Sequence, residues 1–78
     1  MNRRAIIEDH LQQAERHVAQ AREHVWRQAE LVGRLEHNGH DVTEAKRLLQ
    51  QFEEMLELHT SGLDRLRAEL AELPQAKP

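Results

Sequence analysis

The sequence predicts an all-α fold: an antiparallel two-helix coiled-coil hairpin that dimerises into a four-helix bundle. Apolar residues recur at alternating steps of three and four in both halves of the chain, which is the heptad spacing of a coiled coil. Helix breakers are rare, because the chain has three glycines and two prolines, and the prolines stand at positions 74 and 78. The length of 78 residues predicts the dimer, since so short a chain buries little core alone.

The first helix is predicted over residues 3–37. Its apolar stripe runs through the first half of the chain without a slip in phase, as one face of a long helix requires. The stripe consists of Ile7, Leu11, Ala14, Val18, Ala21, Val25, Gln28, Val32 and Leu35. A helix of this length extends roughly 50 Å, at about 1.5 Å per residue.

A turn is predicted at residues 38–41. Gly39 suits the left-handed conformation that ends many helices, and Asn38 tolerates the same conformation. We expect Asp41 to cap the second helix, with Glu44 reaching back to complete a capping box. Because the connection is so short, the two helices must run antiparallel.

The second helix is predicted over residues 42–73. Its stripe consists of Val42, Ala45, Leu49, Phe52, Leu56, His59, Leu63, Leu66, Leu70 and Leu73. Residues 60–62 (TSG) contain a glycine, which costs about 1 kcal/mol relative to alanine inside a helix. Ser61 with Asp64 could cap a separate third helix here. Because the heptad phase passes through this segment unchanged, we favour one helix, with a local kink as a further alternative. The hairpin therefore spans residues 1–74, and residues 75–78 are expected to be a disordered tail.

The two stripes pair residue by residue in an antiparallel hairpin. Counting outward from the turn places Leu35 opposite Val42 and continues in matched steps to Ile7 opposite Leu70. The predicted core is Ile7, Leu11, Val18, Val25, Val32, Leu35, Leu49, Phe52, Leu56, Leu63, Leu66 and Leu70. Small residues of one stripe meet large residues of the other, as interdigitated packing prefers.

Polar groups in and beside the seam are expected to fix the register. On one flank Glu8 should lie near Arg67, and Arg22 near Glu53. Within the stripes the only polar members are Gln28 and His59. A single buried polar group in a coiled-coil seam specifies register and oligomeric state at some cost in stability.

The opposite flank of the seam is largely apolar and is predicted to be the surface for a homodimer. A lone hairpin would leave this flank exposed to water, whereas pairing two hairpins buries it. The predicted partner-binding residues here are Leu31, Leu48, Met55 and Leu58, with His17 and His24 beside them.

Trp26 stands on the outer face of the first helix, between Ala19 and Gly33 one heptad away on either side. An exposed Trp can simply stack on an arginine stem, but Trp is also enriched at interface anchors. The first alternative is therefore a regulatory adaptor that binds another protein through Trp26 or through the apolar flank.

Six histidines raise the question of metal binding and pH sensing. His10, His17 and His24 recur every seven residues, which is too far apart for one ion. His17 and His59 fall near the same layer of the hairpin, and dimer symmetry could double them into a zinc site. No resident metal or cofactor is expected, and a histidine-dependent pH or metal sensor is the second alternative.

The composition argues against several classes of function. The sequence has no cysteine, no glycine-rich phosphate loop and no GxSxG motif, so enzymatic activity is not expected. A net charge of −3, with arginines interleaved among glutamates, predicts no nucleic-acid binding. No apolar run approaches the roughly 20 residues of a membrane span, and no signal-peptide core follows the first four residues. A cytoplasmic protein without membrane contact is expected.

Three stretches of the sequence resemble a group of very short, uncharacterised alphaproteobacterial helical proteins. They are AERHVAQAREHV at residues 14–25, GHDVTEAKRLLQQFEEMLELH at residues 39–59 and DRLRAEL at residues 64–70. The GHD turn followed by EAxxLLxxFEE is the most specific portion, and the similarity covers most of residues 5–70. The resemblance implies a small cytosolic bacterial helical protein and transfers no active site.

Overall fold

The computed structural model describes residues 2–74, which form an antiparallel helical hairpin. Helix α1 spans Arg3–His37 and helix α2 spans Thr43–Glu72. The described residues contain no strand, so the all-α hairpin is confirmed. Helix α1 has the predicted bounds, and α2 is one residue shorter at each end than the range expected from the sequence. The tail expected to be disordered, residues 75–78, lies outside the described residues.

Helix α1 begins and ends with hydrogen-bonded caps. The Asn2 side-chain oxygen accepts a hydrogen bond of 2.8 Å from the Ala5 backbone N–H, a cap that sequence analysis missed. At the other end the His40 N–H reaches back to the Leu35 carbonyl oxygen at 2.9 Å. Gly39 between them has a φ of +74°, so the predicted left-handed residue is confirmed.

The start of α2 differs from the predicted capping box. Asp41 does accept hydrogen bonds from the Thr43 backbone N–H at 3.0 Å and from the Thr43 hydroxyl at 2.7 Å. The cap residue of the helix is Val42, however, so Glu44 occupies the second helical position and not the third, which a capping box requires. Glu44 instead pairs with Arg47 at 3.0 Å. The predicted capping box is therefore wrong for Glu44.

Helix α2 continues through residues 60–62 without interruption, as the unbroken heptad phase predicted. A side chain placed at Gly62 would meet no atom within 4 Å, so packing against α1 does not require a glycine there. Neither helix carries, within residues 2–74, an apolar stretch of the length needed to cross a bilayer.

The core of the hairpin is a single layer of side chains between the two helices. Buried residues are Ile7, Val18, Ala21, Gln28, Val32 and Leu63, all members of the two stripes. The remaining predicted core residues are half-buried, namely Leu11, Val25, Leu35, Leu49, Phe52, Leu56, Leu66 and Leu70. Two helices can cover each other on one side only, which leaves a rod with Cα extents of 64 × 17 × 13 Å.

Interhelical ion pairs correct the predicted register of one flank. Arg67 pairs with Glu15 at 3.6 Å, and the expected pairing of Arg67 with Glu8 is wrong. Helical side chains slope toward the N-terminus of their own helix, so antiparallel partners converge only when each starts on the C-terminal side of their meeting point. Glu15 and Arg67 satisfy this condition, whereas the side chains of Glu8 and Arg67 diverge.

The same slope explains the other flank pair. Arg22 was expected near Glu53, but it lines a shallow groove with Thr60 and Asp64, one heptad further along α2. Lys46 pairs with Glu36 at 3.3 Å in the same sense as Arg67 with Glu15. The flank is therefore built from charged residues as predicted, with its partners shifted by one heptad.

Candidate self-association face and histidine pair

The two flanks of the hairpin seam differ in charge. One flank, which we call the ion-paired flank, carries Glu15–Arg67 and Glu36–Lys46 across the two helices. These side chains keep half or more of their surface exposed, so each pair contributes at most about 1 kcal/mol to stability. The pairs nevertheless restrict which residues can lie opposite one another.

The other flank, which we call the histidine flank, has no ionised residue beside the seam along most of its length. It is formed by His10, His17, His24 and Leu31 of α1 and by Leu48, Met55 and Gly62 of α2, with Leu58 next to Met55 on the outer side. An ion pair between Arg3 and Glu69 at 3.3 Å closes this flank at the end remote from the turn. The flank thus offers a neutral, partly apolar strip bounded by charge.

The apolar residues of the histidine flank are solvent-exposed. Leu31 is 36% exposed, Leu48 41%, Met55 51% and Leu58 70%. His17 and His24 are exposed as well, so every residue predicted to bind a partner on this flank is accessible. Sequence analysis did not single out Ile6, which is 41% exposed. Ile6 directly precedes Ile7, the first residue of the stripe, and only this adjacency in the sequence could have indicated an exposed apolar residue there.

Trp26 lies apart from the histidine flank. It is 62% exposed on the outer face of α1 and is absent from the lining of the depression on the histidine flank. A side chain built at Gly33, one heptad further along the same face, would meet nothing within 4 Å. The structure therefore leaves room beside Trp26 and does not bring it together with Leu31, Leu48 or Met55.

A shallow depression of about 290 Å³ lies in the middle of the histidine flank. Its lining residues are His17, Gln20, Ala21, His24, Phe52, Met55 and His59. Ala21 is buried in the seam, and its small side chain leaves the space above it open between the two helices. The lining contains imidazole, thioether, amide and aromatic groups and no carboxylate, lysine or arginine.

Two pairs of rings border this depression. The rings of His17 and His59 have centroids 5.5 Å apart and are tilted by 48°. One heptad closer to the turn, His24 stacks on Phe52 with centroids 5.4 Å apart and a tilt of 28°. His59 is half-buried at its seam position, whereas His17 is exposed at the rim. The two rings lie close together, so the prediction that His17 and His59 share a layer is confirmed.

A single hairpin offers no complete metal site. Within residues 2–74 no group of three or more His, Cys, Asp or Glu residues is arranged to hold an ion. His17 and His59 supply two imidazoles, and a closed zinc site needs four ligands. Any site built on this pair requires ligands from outside the chain.

Gln28 is the buried polar residue of the seam. Only 8% of its surface is exposed, and its side-chain Nε2 donates a hydrogen bond of 2.9 Å to the Ala45 carbonyl oxygen. In the described part of the chain, every buried side-chain nitrogen or oxygen has a partner. Burial of this amide is thereby compensated, as buried polar groups require.

The carboxyl group of Asp41, in the turn, has a pKa displaced from its ordinary value. Hydrogen bonds from the Thr43 backbone N–H, and then from the Thr43 hydroxyl, lower the pKa of Asp41 below its ordinary value of 3.8. Both donors favour the ionised carboxylate. The side chain itself is fully exposed, so this is a local effect at the start of α2.

No family model, no curated protein and no solved structure matches this chain. The resemblance to short alphaproteobacterial helical proteins therefore stays a prediction. We therefore infer a function from the geometry of the hairpin alone.

Proposed function

We propose that this protein is a small, non-catalytic helical interaction module that associates with itself through the histidine flank to form a four-helix bundle. The observation that carries the proposal is the difference between the two flanks. Interhelical ion pairs occupy one, while the other is a neutral strip with exposed Leu31, Leu48 and Met55. An exposed apolar strip bounded by polar residues is typical of an interface.

The surface area of the hairpin supports this proposal. Its accessible surface is 6301 Å². A compact monomer of the same mass would expose about 4,900 Å². The excess is roughly 1,400 Å², and a standard interface buries about 800 Å² on each partner. The elongated hairpin thus has more surplus surface than one partner contributes to a standard interface.

Charge also favours a second copy as the occupant. A two-fold interface brings a surface patch against its own copy, so a charged patch would face like charges. Beside the seam, the histidine flank carries no Asp, Glu, Lys or Arg between His10 and Leu31 or between Leu48 and Gly62. The ion-paired flank carries Glu15, Glu36, Lys46 and Arg67 beside the seam and lacks this property.

A second candidate function is that of an adaptor for a different protein. It is favoured by Trp26, whose 62% exposure and open neighbouring space at Gly33 suit an anchor for a foreign helix. We place it second because nothing else on that face is apolar and exposed to a comparable degree. We also propose a cytoplasmic location for the self-associating protein.

Sedimentation equilibrium of the full chain, at neutral pH and in the presence of a chelator, tests the proposal. A mass of two chains in chelator is the expected result. A monomer over the whole accessible concentration range, both in chelator and with added metal, would overturn self-association. The exposed histidine flank and Trp26 would then be left for a different protein, which is the adaptor function.

A further inference from the structure

The His17–His59 pair has the spacing of two ligands on one metal ion. Two imidazoles on a tetrahedral Zn²⁺, with Zn–N bonds of about 2.0–2.1 Å, hold their ring centroids roughly 5.2 Å apart. The observed separation is 5.5 Å, so the distance between the two rings is compatible with a shared ion. His24, the next histidine on the rim, instead stacks on Phe52 and is directed away from this role.

The pair lies near the middle of the hairpin, which matters when two copies associate. The midpoint of α1 is residue 20 and that of α2 falls between residues 57 and 58. A two-fold axis parallel to the helices brings every layer against its own copy. A perpendicular axis does so only for the layer through which it passes. His17 and His59 therefore meet their symmetry copies in a dimer with a parallel axis, or with a perpendicular axis that passes through their own layer.

We infer that a Zn²⁺ ion binds at the centre of the dimer, held by the His17 and His59 imidazoles of both copies of the chain. This inference rests on the proposed self-association through the histidine flank. Four neutral imidazoles complete the tetrahedral shell that Zn²⁺ prefers, which no single hairpin supplies.

The surroundings of the pair fit a borderline transition metal. The depression is lined by no lysine or arginine that would repel a cation and by no carboxylate that would favour Mg²⁺ or Ca²⁺. Gln20 lines the same depression, and its amide oxygen suits the ring N–H that a metal-bound imidazole turns outward. Met55 and Phe52 line the depression on the α2 side.

Binding would link oligomerisation to metal availability. An ion that requires both protomers stabilises the dimer and not the monomer, so the dimer dissociation constant falls as free Zn²⁺ rises. The plain self-associating module then becomes a zinc-responsive one.

The test uses the full chain, without an affinity tag and stripped of metal, titrated with Zn²⁺ in a calorimeter. The expected result is one Zn²⁺ per two chains, with Mg²⁺ as a probe that does not bind. His17→Gln and His59→Gln should each abolish this stoichiometry, whereas His10→Gln, on the same rim one heptad away, should leave it unchanged. His17 is exposed, so its variant is expected to fold even if the half-buried His59→Gln variant does not.

Sedimentation of the same protein in chelator and in Zn²⁺ distinguishes failure of the zinc site from failure of self-association. A dimer in chelator that binds no Zn²⁺, or that binds it equally after His17→Gln, overturns the zinc site and leaves self-association standing. A monomer in chelator that becomes a dimer only with Zn²⁺, and loses this response in His17→Gln, supports the zinc site and makes self-association metal-dependent. A monomer in both solutions overturns both.

Discussion

The Gln28 side chain crosses the helix interface and donates a hydrogen bond from its Nε2 to the Ala45 carbonyl oxygen, over 2.9 Å. Ala45 lies in the first turn of α2, in the second layer of side chains from the turn that joins the helices. The bond lies in a seam whose only other polar member is His59. It ties a side chain of α1 to the backbone of α2, so sliding either helix by a residue would break it and bury an unpaired amide.

We predict that Gln28→Leu raises the melting temperature and broadens the distribution of oligomers. Leucine fills a similar volume, and the Ala45 carbonyl keeps its place in the helical ladder, so the loss is one net hydrogen bond against a gain in apolar burial. A net gain of about 1 kcal/mol corresponds to an increase of roughly 4–8 °C for a domain of this size.

Thermal melts by circular dichroism and sedimentation velocity measure the two effects. Gln12→Leu, the same change at an exposed position of α1, is the matched control and should shift neither. A Gln28→Leu variant that is less stable than the wild type, yet equally homogeneous, would show that the amide contributes to stability and not to register.

The glycines at positions 39 and 33 should respond to alanine in opposite directions. Gly39 has a φ of +74°, where an L side chain costs roughly 1–2 kcal/mol. Gly33 lies inside α1 with open space around it, so alanine there gains about 0.8–1 kcal/mol of helix propensity. Urea unfolding of Gly39→Ala and Gly33→Ala measures both signs. A destabilised Gly33→Ala would indicate that something packs closely on that face.

Much of this hairpin is readable from the sequence because its core is periodic. The heptad stripes specify the seam, and Gly39 specifies where the chain reverses, so element order and pairing follow. Details that depend on a single residue are harder. Glu44 misses its capping role because α2 begins one residue later than the pattern suggests, and Asn2 caps α1 ahead of the periodic region.

The candidate site was predictable to a similar depth. Heptad counting places His17 and His59 in one layer, and the structure brings their rings together. The same counting paired Arg67 with Glu8 because it ignores the slope of helical side chains toward the N-terminus, which selects Glu15. Periodicity gives the layer of a residue, whereas side-chain direction decides which neighbour it contacts.

We predict that Asp41 contributes a pH-dependent part of the stability of α2. The folded-state pKa of this carboxyl lies below its ordinary value, so its contribution is present above the unfolded-state pKa and is lost as pH falls through the folded-state pKa. Asp41→Ala should therefore melt at a lower temperature than the wild type at neutral pH, and the difference should vanish in strong acid.

Comparing the two proteins at each pH removes the effects of the other carboxyl groups. Asp41→Asn is the matched control, because its amide oxygen can still accept from Thr43 but does not titrate. It should retain most of the stability at neutral pH. A difference between Asp41→Ala and the wild type that stays constant down to about pH 2 would contradict an ionised cap.

Glutamate introduced at two exposed apolar residues, Met55 and Trp26, is expected to affect the dimer differently. Met55 lies at the centre of the histidine flank and is 51% exposed, whereas Trp26 is 62% exposed on another face. At a two-fold interface each Met55→Glu carboxylate is desolvated near its own copy, which is strongly unfavourable. Trp26→Glu leaves its carboxylate in water.

Sedimentation equilibrium should find Met55→Glu monomeric and Trp26→Glu dimeric at the same chain concentration and in the same chelator. Both residues are exposed, so circular dichroism should show both variants to be as helical as the wild type. Dissociation by Trp26→Glu alone would move the interface to the outer face of α1. Because the histidine pair would then face solvent in the dimer, that result would also remove the basis for a shared zinc ion.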